Sequence, residues 1–119
     1  MTGDAPPRPL TDREAALVRW LLAPGRGVPP DAAARWDVPA LRVVGRCPCG
    51  CASVDFAPAG AGAGMTAYRD WFFPLPECAV AAVFLFDYGG EPGGLEVWSV
   101  DGLVTPADLP TPEALRDAP

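Results

Sequence analysis

Five residue types are missing from this chain of 119 residues: histidine, lysine, asparagine, glutamine and isoleucine. Without histidine there is no imidazole base, which excludes serine–histidine and cysteine–histidine catalysis within the chain. Without lysine, Schiff-base chemistry and the lysine of a phosphate-binding loop are excluded as well. Acid–base chemistry would fall to carboxylates alone, so an enzymatic role is disfavoured.

Positive charge is also scarce. All nine basic residues are arginine, they are scattered along the chain, and the formal net charge is −6. Because nucleic acids and anionic membrane surfaces both require a basic patch, neither is expected as a partner. The arginine-only, alanine-rich composition is typical of a GC-rich bacterial genome.

Long apolar stretches are missing too. The longest run, residues 78–86, is too short to span a bilayer, and the amino terminus lacks the features of a secretory signal. These absences predict a cytoplasmic protein. In that compartment, cysteines are expected to be thiols or metal ligands and not lasting disulfides.

The amino-terminal half predicts two helices. Thr11 and Glu14 have the spacing of a capping box, apolar side chains follow at helical spacing, and Pro24 with Gly25 ends the helix. A second, shorter helix is predicted from Pro29 through about Asp37, since proline is tolerated in a first helical turn.

The rest of the chain predicts strands. Residues 41–46 and 53–57 are expected to pair as a hairpin, residues 65–73 favour a strand over a helix, and residues 79–88 are apolar enough for a central strand. A turn at residues 89–94 leads into an antiparallel return strand at 95–100. The predicted fold class is α+β, with two N-terminal helices packed on a mainly antiparallel sheet of four or five strands.

The predicted domain organisation is simple, because nothing in a chain of this length indicates two cores. A flexible N-terminal segment is expected at 1–9 and a single α+β domain at 10–104. A proline-rich C-terminal tail is expected at 105–119, lying along the surface.

A cysteine cluster is the main candidate for chemistry: Cys47, Cys49 and Cys51 alternate, and Cys78 follows 27 residues later. Three interpretations stay open. The cysteines are small structural thiols at a tight turn, or all four bind zinc tetrahedrally, with Pro48 and Gly50 allowing the required bend. Alternatively, a Cys-x-Cys pair drawn from the first three forms a strained, readily reduced disulfide and carries thiol-redox chemistry.

A second group of candidates combines a carboxylate with aromatic side chains. Glu96 lies in the middle of an apolar strand on the same face as Trp98, and if that face is buried its charge needs a partner. The arginines considered for that role are Arg42, Arg46 and Arg69. If the aromatic side chains point outward, the chain has a partner-binding surface, whose candidate residues are Trp71, Phe72, Glu96 and Trp98.

Three stretches together resemble a known type of protein: residues 10–14, residues 43–54 with Cys49-Gly50-Cys51, and residues 93–97 with Leu-Glu-Val. They are similar to a family of small uncharacterised bacterial proteins that combine an amino-terminal helix, a Cys-x-Cys-Gly-Cys-x-Ser-Val segment and a Leu-Glu-Val strand. The resemblance covers about residues 10–112. It implies a compact bacterial domain and no particular substrate, and Cys78 is not part of the family's pattern.

These observations lead to one principal hypothesis and two alternatives. The principal hypothesis is a small bacterial accessory or protein-interaction domain with a structural cysteine hairpin, whose expected partner is another protein. The alternatives are a zinc-binding or metal-handling protein that uses the four cysteines, and a thiol-redox protein. No cofactor other than zinc is suggested by the residues.

Overall fold

The computed structural model describes residues 6–58, 64–76 and 79–119, and this part of the chain is a mixed α+β fold. Its helices are α1 (Asp12–Leu22) and α2 (Pro30–Ala33), with 3-10 helices at Val38–Ala40 and Pro112–Ala114. The strands are β1 (Arg8–Pro9), β2 (Arg42–Val43), β3 (Gly45–Arg46), β4 (Val54–Asp55), β5 (Met65–Ala67), β6 (Trp71–Pro74), β7 (Val80–Tyr88) and β8 (Glu91–Ser99).

The strands form a six-stranded antiparallel sheet and a separate two-stranded ribbon. The order in the large sheet is β3-β4-β8-β7-β5, with β6 also paired to β7, and the ribbon pairs β1 with β2. The predicted α+β class and antiparallel pairing are therefore confirmed, but the predicted four or five strands are wrong. The large sheet has six strands because residues 65–73 form two strands, β5 and β6, along the same edge of β7. Residues 41–46 also divide, but only β3 joins this sheet, because β2 pairs with β1 in the ribbon.

The first helix forms as its sequence predicts. The Thr11 hydroxyl accepts a hydrogen bond from the Glu14 N–H at 3.1 Å, and the Glu14 carboxylate accepts one from the Thr11 N–H at 2.8 Å. This reciprocal capping satisfies two backbone donors at the start of α1. The helix then buries Leu17, Val18 and Leu21 against the sheet.

The prediction of a second helix through Asp37 is wrong. Helix α2 ends at Ala33, and beyond Ala34 the N–H groups of Arg35 and Trp36 bond to the carbonyls three residues earlier. This tighter turn brings the Trp36 ring into the core, where 6% of the residue is exposed. A separate 3-10 helix follows at Val38–Ala40, with Pro39 in its first turn, where a missing N–H is tolerated.

The main core lies between α1 and one face of the sheet. Along β7 and β8 the inward side chains are those of Ala81, Val83, Leu85, Leu95 and Val97, as the two-residue period of a strand requires. The opposite sheet face carries half-buried side chains, among them Phe72, Phe84, Glu96 and Trp98.

Both ends of the described chain pack on this domain. Strand β1 lies within the segment expected to be flexible, and Arg8 forms an ion pair with Glu14. Within the proline-rich stretch at 105–119, Leu109 and Leu115 are buried, and Arg116 exchanges backbone hydrogen bonds with Phe72. In the part of the chain that the structure describes, no helix combines the length and apolar character needed to cross a membrane.

The turn between β7 and β8 is shorter than the predicted 89–94. Gly89 and Gly90 have φ angles of 62° and 92°, which suits a two-residue hairpin turn. Gly93 and Gly94 belong to β8, because the Phe86 ring lies over them. A Cβ atom at Gly94 would be 2.5 Å from Phe86 Cζ, so the ring occupies the space of the absent side chain.

We expect Glu14 to contribute an acid-labile part of the stability. Burial raises the pKa of this carboxyl, but hydrogen bonds from Arg8 and the Thr11 N–H outweigh it and hold the pKa below the ordinary value. Because the folded-state pKa is the lower one, this stabilisation is present above the unfolded-state pKa of about 4.3 and is lost as pH falls through the folded-state pKa.

The measurement is urea unfolding in steps from about pH 7 to about pH 3, a range that begins well above the unfolded-state pKa of about 4.3 and ends below it. Glu14→Gln is expected to lower stability most at neutral pH and to approach the parent protein in acid. Glu113→Gln, at an exposed position, is the matched control. An equal loss for Glu14→Gln at every pH would contradict the prediction.

Candidate functional site

The three clustered cysteines lie on the connection between β3 and β4. The two strands pair in antiparallel register, with Gly45 opposite Asp55 and Arg46 opposite Val54, so both ends of the connection are held. Gly50 has a φ of 89°, and its N–H bonds to the Cys47 carbonyl at 3.3 Å. The bend at the tip of a hairpin is therefore present as the sequence predicted, and the sulfurs converge.

The sulfur atoms of Cys47, Cys49 and Cys51 all lie within 4.8 Å of one another. The Cys47 and Cys49 sulfurs are in hydrogen-bond contact at 2.8 Å, and the Cys51 N–H donates to the Cys49 sulfur at 3.4 Å. Cys49 is exposed, Cys47 is half-buried and Cys51 is buried. The cluster therefore runs from the surface into the domain. Cys78, the fourth predicted ligand, lies outside the described residues.

The close contact between the Cys47 and Cys49 sulfurs shifts the pKa values of these two thiols in opposite directions. The hydrogen bond with Cys49 raises the pKa of Cys47 to about 11. The pKa of Cys49 is lowered, first by the hydrogen bond from Cys47, then by those from Cys51 and its backbone N–H. Cys49 is thus the member of the pair that ionises first, and it is also the exposed one.

This difference predicts a selective reaction with alkylating reagents. Because the thiolate is the nucleophile, iodoacetamide at about pH 8 is expected to modify Cys49 well before Cys47 or Cys51. Peptide mapping by mass spectrometry over time measures the order. Cys47→Ala removes the donor and is expected to slow alkylation of Cys49, whereas Thr105→Ala, a change in a neighbouring hydroxyl, leaves the rate unchanged. Faster alkylation of Cys47 than of Cys49 would contradict the assignment.

The cysteines form one wall of a cleft of about 290 Å³. The other lining residues come from the second half of β8 and from the chain that follows it. The residues lining the cleft are Cys47, Cys49, Cys51, Glu96, Val97, Trp98, Ser99, Gly102, Val104, Thr105 and Pro106.

Ser53 connects the cysteine cluster to β8. Its hydroxyl lies 3.3 Å from the Cys51 sulfur and 3.4 Å from Glu96 Oε2, and it accepts the Val97 N–H at 2.8 Å. No role was predicted for Ser53 from the sequence. Knowledge of the strand register would have identified it: since Val54 pairs with Leu95, the residue before Val54 lies opposite Glu96.

Glu96 is half-buried, and its surroundings differ from those expected. Among the described residues, none of the three candidate arginines forms an ion pair with Glu96; Arg69 instead lies 3.9 Å from Asp117. Burial raises the pKa of the Glu96 carboxyl, the Ser53 hydrogen bond opposes this, and the Asp55 charge raises the pKa further. The carboxylate therefore faces the cleft with a serine as its hydrogen-bond partner.

The aromatic candidates lie on two different sides of the sheet. Trp71 lies on the core side, where it packs edge-on against Trp20 with the ring centroids 4.9 Å apart. Its indole N–H donates a hydrogen bond to the Arg26 carbonyl. Phe72 and Trp98 are on the opposite face with Glu96. Consecutive strand residues alternate between faces, so Trp71 and Phe72 cannot contribute to a single surface. A partner-binding role for the face of Phe72, Glu96 and Trp98 stays a prediction.

Comparison with protein-family models, with curated proteins and with solved structures finds no match for this chain. The family resemblance of the Cys-Gly-Cys segment therefore stays a prediction, and the function is inferred from the residues of the site.

Proposed function

We propose that this chain is a small accessory domain that binds a thiophilic metal ion, with zinc as the first candidate, through Cys47, Cys49 and Cys51. The observation that carries the proposal is the convergence of the three sulfurs within 4.8 Å. In a tetrahedral zinc site with bonds of about 2.3 Å, the sulfurs are about 3.8 Å apart. The observed sulfur separations, from 2.8 Å between Cys47 and Cys49 up to the limit of 4.8 Å, bracket this value.

The charge around the cleft also favours a cation. The lining residues include three thiols and one carboxylate and, within the described part of the chain, no arginine. Thiolate sulfur selects soft and borderline metals such as zinc, whereas magnesium and calcium prefer oxygen ligands. A zinc ion would offset the negative charge that three ionised cysteines would otherwise concentrate beside Glu96.

Metal content of the full chain tests this proposal. Native mass spectrometry of protein purified without added metal, and again after addition of zinc, is expected to show one zinc ion per chain. Removing the ion with a chelator is expected to lower the melting temperature, because an ion that binds only the folded state stabilises it. If only the metal-free mass appears even after zinc is added, the proposal fails.

Thiol–disulfide exchange is a second candidate, favoured by the 2.8 Å contact between the Cys47 and Cys49 sulfurs. Oxidation would remove two electrons and both thiol protons, and a disulfide or peroxide would accept them. Thiol counting on metal-free protein across defined redox buffers is expected to show these two thiols disappearing together. Four free thiols under all oxidising buffers would eliminate this candidate.

A further inference from the structure

The three sulfurs leave one position of a tetrahedral zinc site to be filled. Zinc accepts carboxylate oxygen as well as thiolate sulfur, at about 2.0–2.2 Å. The cleft that holds the cysteines also holds one carboxylate, that of Glu96. To serve as a ligand, this carboxylate must lie close to the sulfurs, and its negative charge must not already be paired with a cation.

The short distance between Glu96 and the cysteines favours Glu96 as the ligand, because the Ser53 hydroxyl oxygen lies between the two groups. Ser53 Oγ lies 3.3 Å from the Cys51 sulfur and 3.4 Å from Glu96 Oε2. The carboxylate is therefore within two hydrogen-bond lengths of the buried sulfur. Ser53 directly precedes β4 and Glu96 lies on β8, so the register of these two paired strands sets the position of the Ser53 hydroxyl beside Glu96.

The charge environment of Glu96 also favours a bound cation. The group is half-buried, and the residues lining its cleft include no arginine among those described. Asp55, on the neighbouring strand, adds a second negative charge that acts on Glu96. Burial of a carboxylate is costly unless hydrogen bonds or a cation compensate its charge, and the hydrogen bond from Ser53 to Glu96 is long, at 3.4 Å.

We infer that Glu96 supplies the fourth ligand of the metal site, giving zinc a coordination shell of three sulfurs and one carboxylate oxygen. The inference rests on the metal site proposed above. When the ion binds, the three thiol protons pass to solvent and the Glu96 side chain turns from Ser53 toward the cysteines. The Ser53 hydroxyl is then left beside the Cys51 sulfur as a hydrogen-bond donor, an arrangement that orients metal-binding thiolates.

Zinc affinity of the full chain, measured by competition with a chromogenic chelator, tests the inference. Glu96→Gln keeps the size of the side chain and removes its charge. Loss of an outer-sphere partner typically weakens metal binding about 10–100-fold, and loss of a ligand is expected to reach or exceed that range. Glu91→Gln controls for charge on the same strand, since Glu91 is exposed and paired with Arg35. Asp55→Asn controls for the field of a nearby carboxylate.

X-ray absorption of the zinc-loaded chain gives the ligands directly. We expect three sulfurs at about 2.3 Å and one oxygen at about 2.0–2.2 Å. Cys78→Ala is expected to leave this shell and the affinity unchanged.

Two results would overturn the inference while leaving the metal site in place: a four-sulfur shell that Cys78→Ala abolishes, or a Glu96→Gln affinity within twofold of the two controls. Failure of the parent chain to bind zinc at all would instead overturn the proposed function, and the role of Glu96 with it.

Discussion

Replacing Leu85 by alanine is expected to lower the free energy of unfolding by about 2–5 kcal/mol. Leu85 is 1% exposed, on the central strand β7, and it pairs with the fully buried Leu95 on β8. Truncation removes apolar contacts and leaves a cavity that two paired strands cannot readily collapse. Since domains of this size are stable by only about 5–15 kcal/mol, this one change removes a large share of the total.

Urea unfolding followed by circular dichroism measures this effect. Leu103→Ala is the matched control, because Leu103 is 84% exposed and the same truncation there should change stability by less than about 0.5 kcal/mol. If Leu85→Ala lowers the free energy of unfolding by less than about 1 kcal/mol, and so by no more than a surface change does, β7 is not the centre of the core.

Cys49→Ala is expected to weaken zinc binding on the order of a hundredfold. Structural zinc sites supply roughly 10–16 kcal/mol, so one of four ligands accounts for about 2.5–4 kcal/mol, and every 1.4 kcal/mol is tenfold in affinity. Cys49 is the best of the three cysteines for this test, because it is exposed and its truncation leaves the core intact. Lost binding would then reflect a lost ligand and not a failure to fold.

Two further measurements make that result specific. Thr105→Val changes another residue of the cleft without removing a sulfur, and it should bind zinc like the parent chain. The urea midpoint of metal-free Cys49→Ala should match that of the metal-free parent. Unchanged zinc affinity in Cys49→Ala would remove this cysteine from the site and leave two sulfurs, too few for the arrangement proposed here.

The elements that could be predicted are those whose signals lie within a few residues. The capping box of Thr11 and Glu14 and the bend at Gly50 depend on neighbouring residues, and both are present. The β7–β8 hairpin was predicted for the same reason, although its turn is shorter because Phe86 covers Gly93 and Gly94. The second helix was predicted too long, because burial of Trp36 outweighed local helix propensity.

The features of the candidate site likewise divide into those that could be predicted from nearby residues and those that could not. The spacing of Cys47, Cys49 and Cys51 was enough to mark them, and a bent connection between paired strands brings their sulfurs together. The expected arginine partner of Glu96 was wrong, because the residue opposite it depends on how β4 pairs with β8. That pairing joins distant parts of the chain, and Ser53 and Glu96 are 43 positions apart.

By itself, the sequence determined which chemistry is possible: thiols and carboxylates, with no imidazole and no amine side chain. It also determined the local bends and caps, since these depend on short-range sterics and hydrogen bonds. Only the tertiary structure decided which groups meet, placing Ser53 between Cys51 and Glu96 and packing Trp71 against Trp20. The physical reason is that strand register and side-chain burial are set by long-range packing of the whole sheet, where a shift of one residue exchanges its two faces.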